Sequence, residues 1–236
     1  MTIDIFTAIE TFDALTSPER VVFTLKSALA SVGRNYFCLN LFPRRNESFA
    51  KAIIACELPQ AWLDLYIRED FATADPAIRH CKHAVLSFAY RDAPYDPERE
   101  SRAAEVVNRA RDFGVCNGDL FPIAGPNGPV GDMWIGGVDT ALGKREASAV
   151  HMLALTAFYK IQAQVQPAPA TVTLTDRERE VLTWVADGKT AWEIGEVLEI
   201  SHRTVEWYIQ QAVHKLGARN RMQAVVIAAR DGLIEI

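Results

Sequence analysis

The chain is expected to join an α+β domain, an antiparallel sheet held between helical layers, to a small all-α domain of four helices. Three observations predict this division. The stretch QAQVQPAPATVT at 162–173 carries Pro167 and Pro169 and no charge, so it reads as a linker, with 166–173 as its core between domains at 1–165 and 174–236. Before it, helical and strand periodicities are mixed; after it, every segment is helical. The length of 236 residues suits two unequal domains, and 49% hydrophobic with 23% charged residues is globular composition, which excludes disordered and collagen-like classes.

Ile5, Ile9, Phe12 and Leu15 recur at helical spacing, and Pro18 is suited to open a second helix running to Gly33. The apolar run YFCLNLF (Tyr36–Phe42) and the run AKAIIAC (Ala50–Cys56) flank a polar turn with Arg44, Arg45 and Asn46, a hairpin pattern. Helices are expected at Pro59–Glu69 and Pro76–His83, then a short strand at Val85–Tyr90. A charged amphipathic helix at Pro97–Phe113 is closed by Gly114. Asp119–Ala124 and Val130–Val138 read as strands joined by the turn GPNG, and a long helix follows at Lys144–Val165. Strands in the middle with helices around them predict a sheet covered on both faces, which can enclose a ligand between layers.

After the linker the punctuation is explicit. Thr175 and Glu178 form a capping box, as do Thr190 and Glu193; Ser201 can cap a third helix to Leu216, and a fourth covers Arg221–Arg230. Gly188, Gly217 and Gly232 follow the first, third and fourth helices. Only a few residues separate the second helix from the third, which describes a helix-turn-helix. On the third helix Val205, Ile209, Ala212 and Leu216 share one stripe, while Arg203, Trp207, Gln210 and His214 lie opposite, with Glu206 at the edge. A polar, hydrogen-bonding outer face suits a major-groove reader, although a solvated helix face has the same pattern.

Charge placement favours the reader. The whole chain carries a net charge of −5, which argues against nucleic acid only as an average. Residues 201–225 hold Arg203, Lys215, Arg219 and Arg221 against Glu206, a net of +3, whereas 171–200 sum to −4. Phosphate contact needs a local basic face and not a basic protein.

With these motifs in place, the segment 174–234 resembles the LuxR-type helix-turn-helix domain. The matching residues are Thr175, Arg177, Glu178, Val181, Leu182, Gly188, Lys189, Thr190, Ile194, Ser201, Thr204, Val205, Lys215 and Leu216. The resemblance implies a transcription regulator that binds a two-fold double-stranded DNA site as a homodimer, with RNA polymerase as a further partner. Its DNA-facing residues are expected to be Lys189, Thr190, Ser201, Arg203, Thr204, Glu206, Trp207, Gln210, His214 and Lys215. Glu206 and Trp207 depart from the basic or small residues many members carry there, which bears on the operator sequence.

The first domain opens with a helix, not with the strand and acidic pair of a phosphoacceptor receiver. It resembles the acyl-homoserine lactone-binding domains of the same family through Trp62, Tyr66, Asp75, Pro76, Gly114 and Gly118. Trp62 and Tyr66 lie four apart and can share one cavity; the indole N–H suits a lactone carbonyl and a carboxylate at Asp75 suits the ligand's amide N–H. Each residue alone has an ordinary structural role as well: Asp75-Pro76 is an N-cap and N1 pair, and an aromatic pair at this spacing packs cores. Tyr90 and Trp134 complete the expected ligand-binding set, Tyr90 where many relatives carry Trp and Trp134 where some carry a small hydroxyl residue. A large indole there implies a short, branched or aryl acyl group. No cofactor is expected, and the alternative ligand is another small molecule, host-derived for example.

A lactone-processing enzyme is the weaker alternative, since no Ser–His–Asp set, P-loop, GxGxxG or GxSxG is present. His80-Cys-Lys-His83 has metal-ligand spacing without a second cluster, so no metal is expected. The acidic N-terminus is unlike a signal peptide, no apolar run reaches the ~18–20 residues of a membrane span, and Cys38, Cys56, Cys81 and Cys116 form no CxxC pair. A cytoplasmic protein with reduced thiols and no membrane association is expected.

Overall fold

Alternation along the strands sets the architecture of the first unit. In the computed structural model, which describes residues 3–43, 47–125, 128–137, 142–165 and 173–235, the chain divides into Met1–Gln166 and Pro167–Ile236. Strands β1 (Tyr36–Leu41), β2 (Ile53–Glu57), β3 (Phe88–Ala89), β4 (Asp119–Gly125) and β5 (Gly128–Gly136) form one antiparallel sheet in the order β2-β1-β5-β4-β3. Successive side chains point to opposite faces. Phe37, Leu39, Phe121, Ile123, Met133 and Ile135 therefore share one face, and Cys38, Leu120 and Trp134 belong to the other.

The first face packs against α1 (Ile5–Phe12), α2 (Pro18–Ser31) and α7 (Lys144–Val165). Asp4 caps α1 through the N–H groups of Phe6 and Thr7, and Ser17 caps α2 with Pro18 in its first turn. α7 buries Val150, Leu153, Ala154, Ala157, Phe158 and Ile161, a helical stripe aimed at the sheet. The other face packs beneath α4 (Gln60–Arg68), α5 (Pro76–Cys81) and α6 (Ser101–Asp112). The expected layering, helices on both faces of an antiparallel sheet, is what the chain adopts.

Three elements differ from expectation. The run Ala50–Cys56 is not all strand: Ser48 caps a single turn α3 (Phe49–Ala52), its Oγ accepting from Ala50 N at 3.3 Å, and pairing begins only at Ile53. The strand expected at Val85–Tyr90 contracts to Phe88–Ala89, leaving Val85 and Leu86 exposed, because the sheet offers this edge only Asp119 and Leu120 as partners. Tyr90 instead enters a 3₁₀ turn, Tyr90–Asp92, and is buried. The helix expected from Pro97 starts at Ser101, since Asp96 and Glu100 bond each other's turn, Asp96 N donating to Glu100 Oε1 at 3.1 Å. The turn at Arg44–Asn46, the centre of GPNG, Val138 and the linker at 166–172 lie outside the described residues.

The second unit holds α8 (Asp176–Ala186), α9 (Ala191–Leu198), α10 (His202–Lys215) and α11 (Arg221–Arg230) around Leu182, Val181, Ile194, Val205, Ile209 and Ala228. Both capping boxes form, with Thr175 N donating to Glu178 Oε2 and Thr190 N to Glu193 Oε2, each at 2.8 Å. The tight α9–α10 turn depends on Gly195, where a Cβ would press on the carbonyl of Ile200. Among the described residues no helix is long and apolar enough to cross a membrane.

Candidate functional sites: a cavity under the sheet and an exposed helix face

The cavity-facing side of the sheet is closed by aromatic rings. Trp62 and Tyr66 come from the inner face of α4, their rings edge to face at 5.3 Å, and Phe49, Phe71 and Phe113 pack around them at 5.0–6.1 Å. Between this cluster and β1, β4 and β5 lies a cavity with about 450 Å³ of space unfilled by atoms, part of it open to solvent. All five residues expected to bind ligand line it: Trp62, Tyr66, Asp75, Tyr90 and Trp134.

Asp75 caps α5, its Oδ1 accepting from Ala77 N at 2.8 Å, and its side chain is 4% exposed. The Tyr66 hydroxyl donates to Oδ2 at 2.9 Å and the Tyr90 hydroxyl reaches both oxygens at 3.3 Å. Capping and cavity roles thus coexist in one carboxylate. Burial pushes its pKa above the ordinary range, and the Ala77, Tyr66 and Tyr90 hydrogen bonds offset only part of that. The same burial, with the Asp75 charge beside them, pushes both tyrosine hydroxyls up, so they remain protonated donors. Asp75 also lines the cavity, so its carboxyl borders any molecule held there.

Trp134 lies across the sheet between two glycines. A Cβ at Gly118 or at Gly136 would collide with its indole, so both positions must be glycine for the ring to lie there. Its Nε1–H is buried without an acceptor among the described residues, a costly state in the absence of a partner.

Among the lining residues that escaped the sequence analysis, two carry strongly polar side chains. Asn40 and Asp132 are cross-strand partners in the β1–β5 pair, 2% and 1% exposed, with Asn40 Nδ2 donating to Asp132 Oδ1 at 2.9 Å. Burial pushes the Asp132 carboxyl up to about 7; the Asn40 bond opposes this and the Asp75 charge adds to it. The only sequence signal was one polar residue inside each of two apolar strands. Among the described residues none that lines the cavity is cationic.

In the second unit, α10 presents Arg203, Glu206, Trp207, Gln210 and His214 to solvent and buries Val205, Ile209 and Ala212. Trp207 is 55% exposed, with Tyr208 against it edge to face at 5.0 Å. Lys189 and Thr190 are exposed at the start of α9. Ser201 caps α10, Oγ accepting from Thr204 N at 3.1 Å and lying 2.8 Å from the Thr204 hydroxyl. Lys215 is already engaged: Nζ donates to the buried Glu178 at 2.7 Å, tying the end of α10 to the start of α8. Burial raises the Glu178 carboxyl, but the Lys215 and Thr175 bonds outweigh it and hold it below the ordinary range.

Comparison with known proteins identifies the family of each unit. Residues 17–161 match the autoinducer binding domain model, and 172–228 match that of the bacterial regulatory proteins of the luxR family. The transcriptional activator protein BjaR1 of Bradyrhizobium diazoefficiens is 39% identical over 211 residues, covering 89% of this chain and 87% of BjaR1. The quorum sensing-dependent transcriptional regulator RpaR of Rhodopseudomonas palustris is 34% identical, covering 97% of this chain and 93% of its own. The crystal structure of Escherichia coli SdiA shares the fold with a TM-score of 0.71 and 21% identity, each chain 98% covered. BjaR1 and RpaR are both transcription regulators. The chain therefore belongs to the LuxR family of quorum-sensing transcriptional regulators, with a small-molecule-binding unit before its DNA-binding helix-turn-helix.

Proposed function

We propose that the small molecule is an N-acyl homoserine lactone, that Asp75 accepts its amide N–H, and that the liganded protein binds a two-fold DNA site as a homodimer. The observation that carries this reading is the environment of Asp75: a buried carboxylate oriented by Tyr66, Tyr90 and Ala77 N on the wall of the cavity. A lining with carboxylates and, among the described residues, no cation repels anionic ligands such as free fatty acids and suits a neutral ligand that donates hydrogen bonds. Trp62 offers an indole N–H for the lactone carbonyl, and the orphaned Trp134 N–H suits a second ligand oxygen. The Trp134 ring takes space from the acyl end, which favours a short, branched or aryl acyl group.

Ligand bound only by the folded state stabilises it by mass action and so raises the population able to pair. Pairing sets two copies of α10 in successive major grooves, Arg203 and Gln210 reading base edges and Lys189 and Thr190 meeting phosphate. RNA polymerase is then the protein recruited. Mass spectrometry of the small molecule that co-purifies with the full chain tests the ligand class. An acyl-homoserine lactone mass is expected; a fatty acid or other anion as the sole bound species contradicts the reading.

A further inference from the structure

Cys38, Asn40, Asp132 and Trp134 alternate with the core residues Phe37, Leu39, Met133 and Ile135, so the polar pair faces the cavity from the two central strands. Interior strand positions carry polar side chains only at a cost, because a desolvated carboxylate loses its hydration. Asn40 meets that cost in part. Its Nδ2 donates to Asp132 Oδ1 and, at 3.2 Å, to Leu41 O, and neither bond engages Oδ2 of Asp132. An oxygen so placed, 1% exposed as a residue and on the wall of a cavity, can take a partner from a molecule held there. Asp132 lies two residues from Trp134, one pleat repeat or about 7 Å along β5, so it addresses a different part of the ligand from the indole.

Resting on the lactone reading above, we propose that Asn40 and Asp132 form a recognition site for a hydroxyl group carried on the acyl part of the ligand. A hydroxyl is the one common substituent that fits either protonation state of Asp132. It donates to the carboxylate, and it accepts from the carboxylic acid. A ketone satisfies only the acid and a methylene satisfies neither, leaving Oδ2 without a ligand partner. Burial that holds the carboxyl near neutrality makes both states relevant, which is why a group able to serve both is selected. The hydroxyl can sit on an aliphatic chain or on a ring; the chemistry at Asp132 is the same.

Calorimetric titration of the full chain with two matched probe pairs tests this. The aliphatic pair is N-butanoyl- and N-(3-hydroxybutanoyl)-homoserine lactone; the aromatic pair is N-phenylacetyl- and N-(4-hydroxyphenylacetyl)-homoserine lactone. The wild-type protein is expected to bind the hydroxylated member at least tenfold more tightly in one pair or both, and the pair that shows it locates the hydroxyl. Asp132→Leu should reverse that preference, and the isosteric Asp132→Asn should reduce it to within a few-fold. Equal binding of both members in both pairs overturns the inference while leaving the lactone reading intact. Equal weakening of both members by Asp132→Leu overturns it too. If none of the four probes binds, the lactone reading itself fails and the inference with it.

Discussion

The two faces of one sheet are built to different specifications. The face toward α1, α2 and α7 is apolar at its centre, with Phe37, Leu39, Phe121, Ile123, Met133 and Ile135 all at 0–1% exposure, and carries Asp119 at the start of β4. The face toward α4 and α5 buries its residues almost as deeply yet carries Asn40 and Asp132 on its strands and looks across at Asp75. Burial alone does not distinguish the faces. What differs is how the polar groups are partnered: on the first face Asp119 pairs with Arg34 at 3.4 Å, whereas on the second Asp132 bonds Asn40 through Oδ1 and Trp134 Nε1 has no acceptor among the described residues. One face supplies stability, and the other holds it in reserve for a ligand.

The largest effect should come from the first face. Phe121→Ala, at 0% exposure, is expected to cost about 3–5 kcal/mol, read as a lowered denaturation midpoint at unchanged slope. On the second face the sign reverses. The Asp132 carboxyl titrates at about 7 in the folded chain against an ordinary 3.8, so between these values the native state holds a proton the unfolded state has released. Stability from this group is full at low pH, falls as pH rises from about 4 to about 7, and is flat beyond. Asp132→Asn should therefore stabilise the chain by up to roughly 4 kcal/mol at pH 8 and by almost nothing at pH 4. Asp75 and Asp119 are shifted upward as well and leave a residual slope of the same sign. Thermal unfolding across pH 4–8 reads this directly; a variant no more stable than wild type at pH 8 removes the contrast between the faces.

Smaller effects belong to the other unit and mark the comparison's boundary. Lys215→Ala strips the partner from Glu178 and should cost roughly 2 kcal/mol in that unit, less than a fully buried pair because Lys215 is 35% exposed. Arg203→Ala is expected to weaken operator binding by roughly tenfold, with lactone affinity and unfolding midpoint unchanged. Filter binding or gel shift on a two-fold site, paired with a lactone titration, reads both. A change in lactone affinity with Arg203→Ala would show that the two sites are not separable in this way.

Legibility in the sequence followed the range of the interactions. The capping boxes at Thr175–Glu178 and Thr190–Glu193 involve residues three apart, and α7 keeps one stripe for 22 residues, so both were read with correct bounds. The turn Phe49–Ala52 was hidden because a single helical turn in an apolar run has no period to detect. Val85 and Leu86 are apolar but lack strand partners, and partnership is decided by residues at 119 and 120. The same range explains the site. Trp62, Tyr66 and Asp75 fall within 14 positions and could be read together, whereas Asn40 and Asp132 are 92 apart and become a pair only when β1 registers against β5.

The account rests most heavily on Asp75 as the group that accepts a ligand N–H, and a calorimetric titration of lactone into wild type and Asp75→Asn tests that role directly. Asn preserves the N-cap of α5, so the fold should persist, checked by an unfolding midpoint no lower than wild type. The predicted result is a loss of lactone affinity of tenfold or more, since a charge-assisted hydrogen bond contributes about 1.5–3 kcal/mol. Unchanged affinity in a folded Asp75→Asn protein would contradict the account.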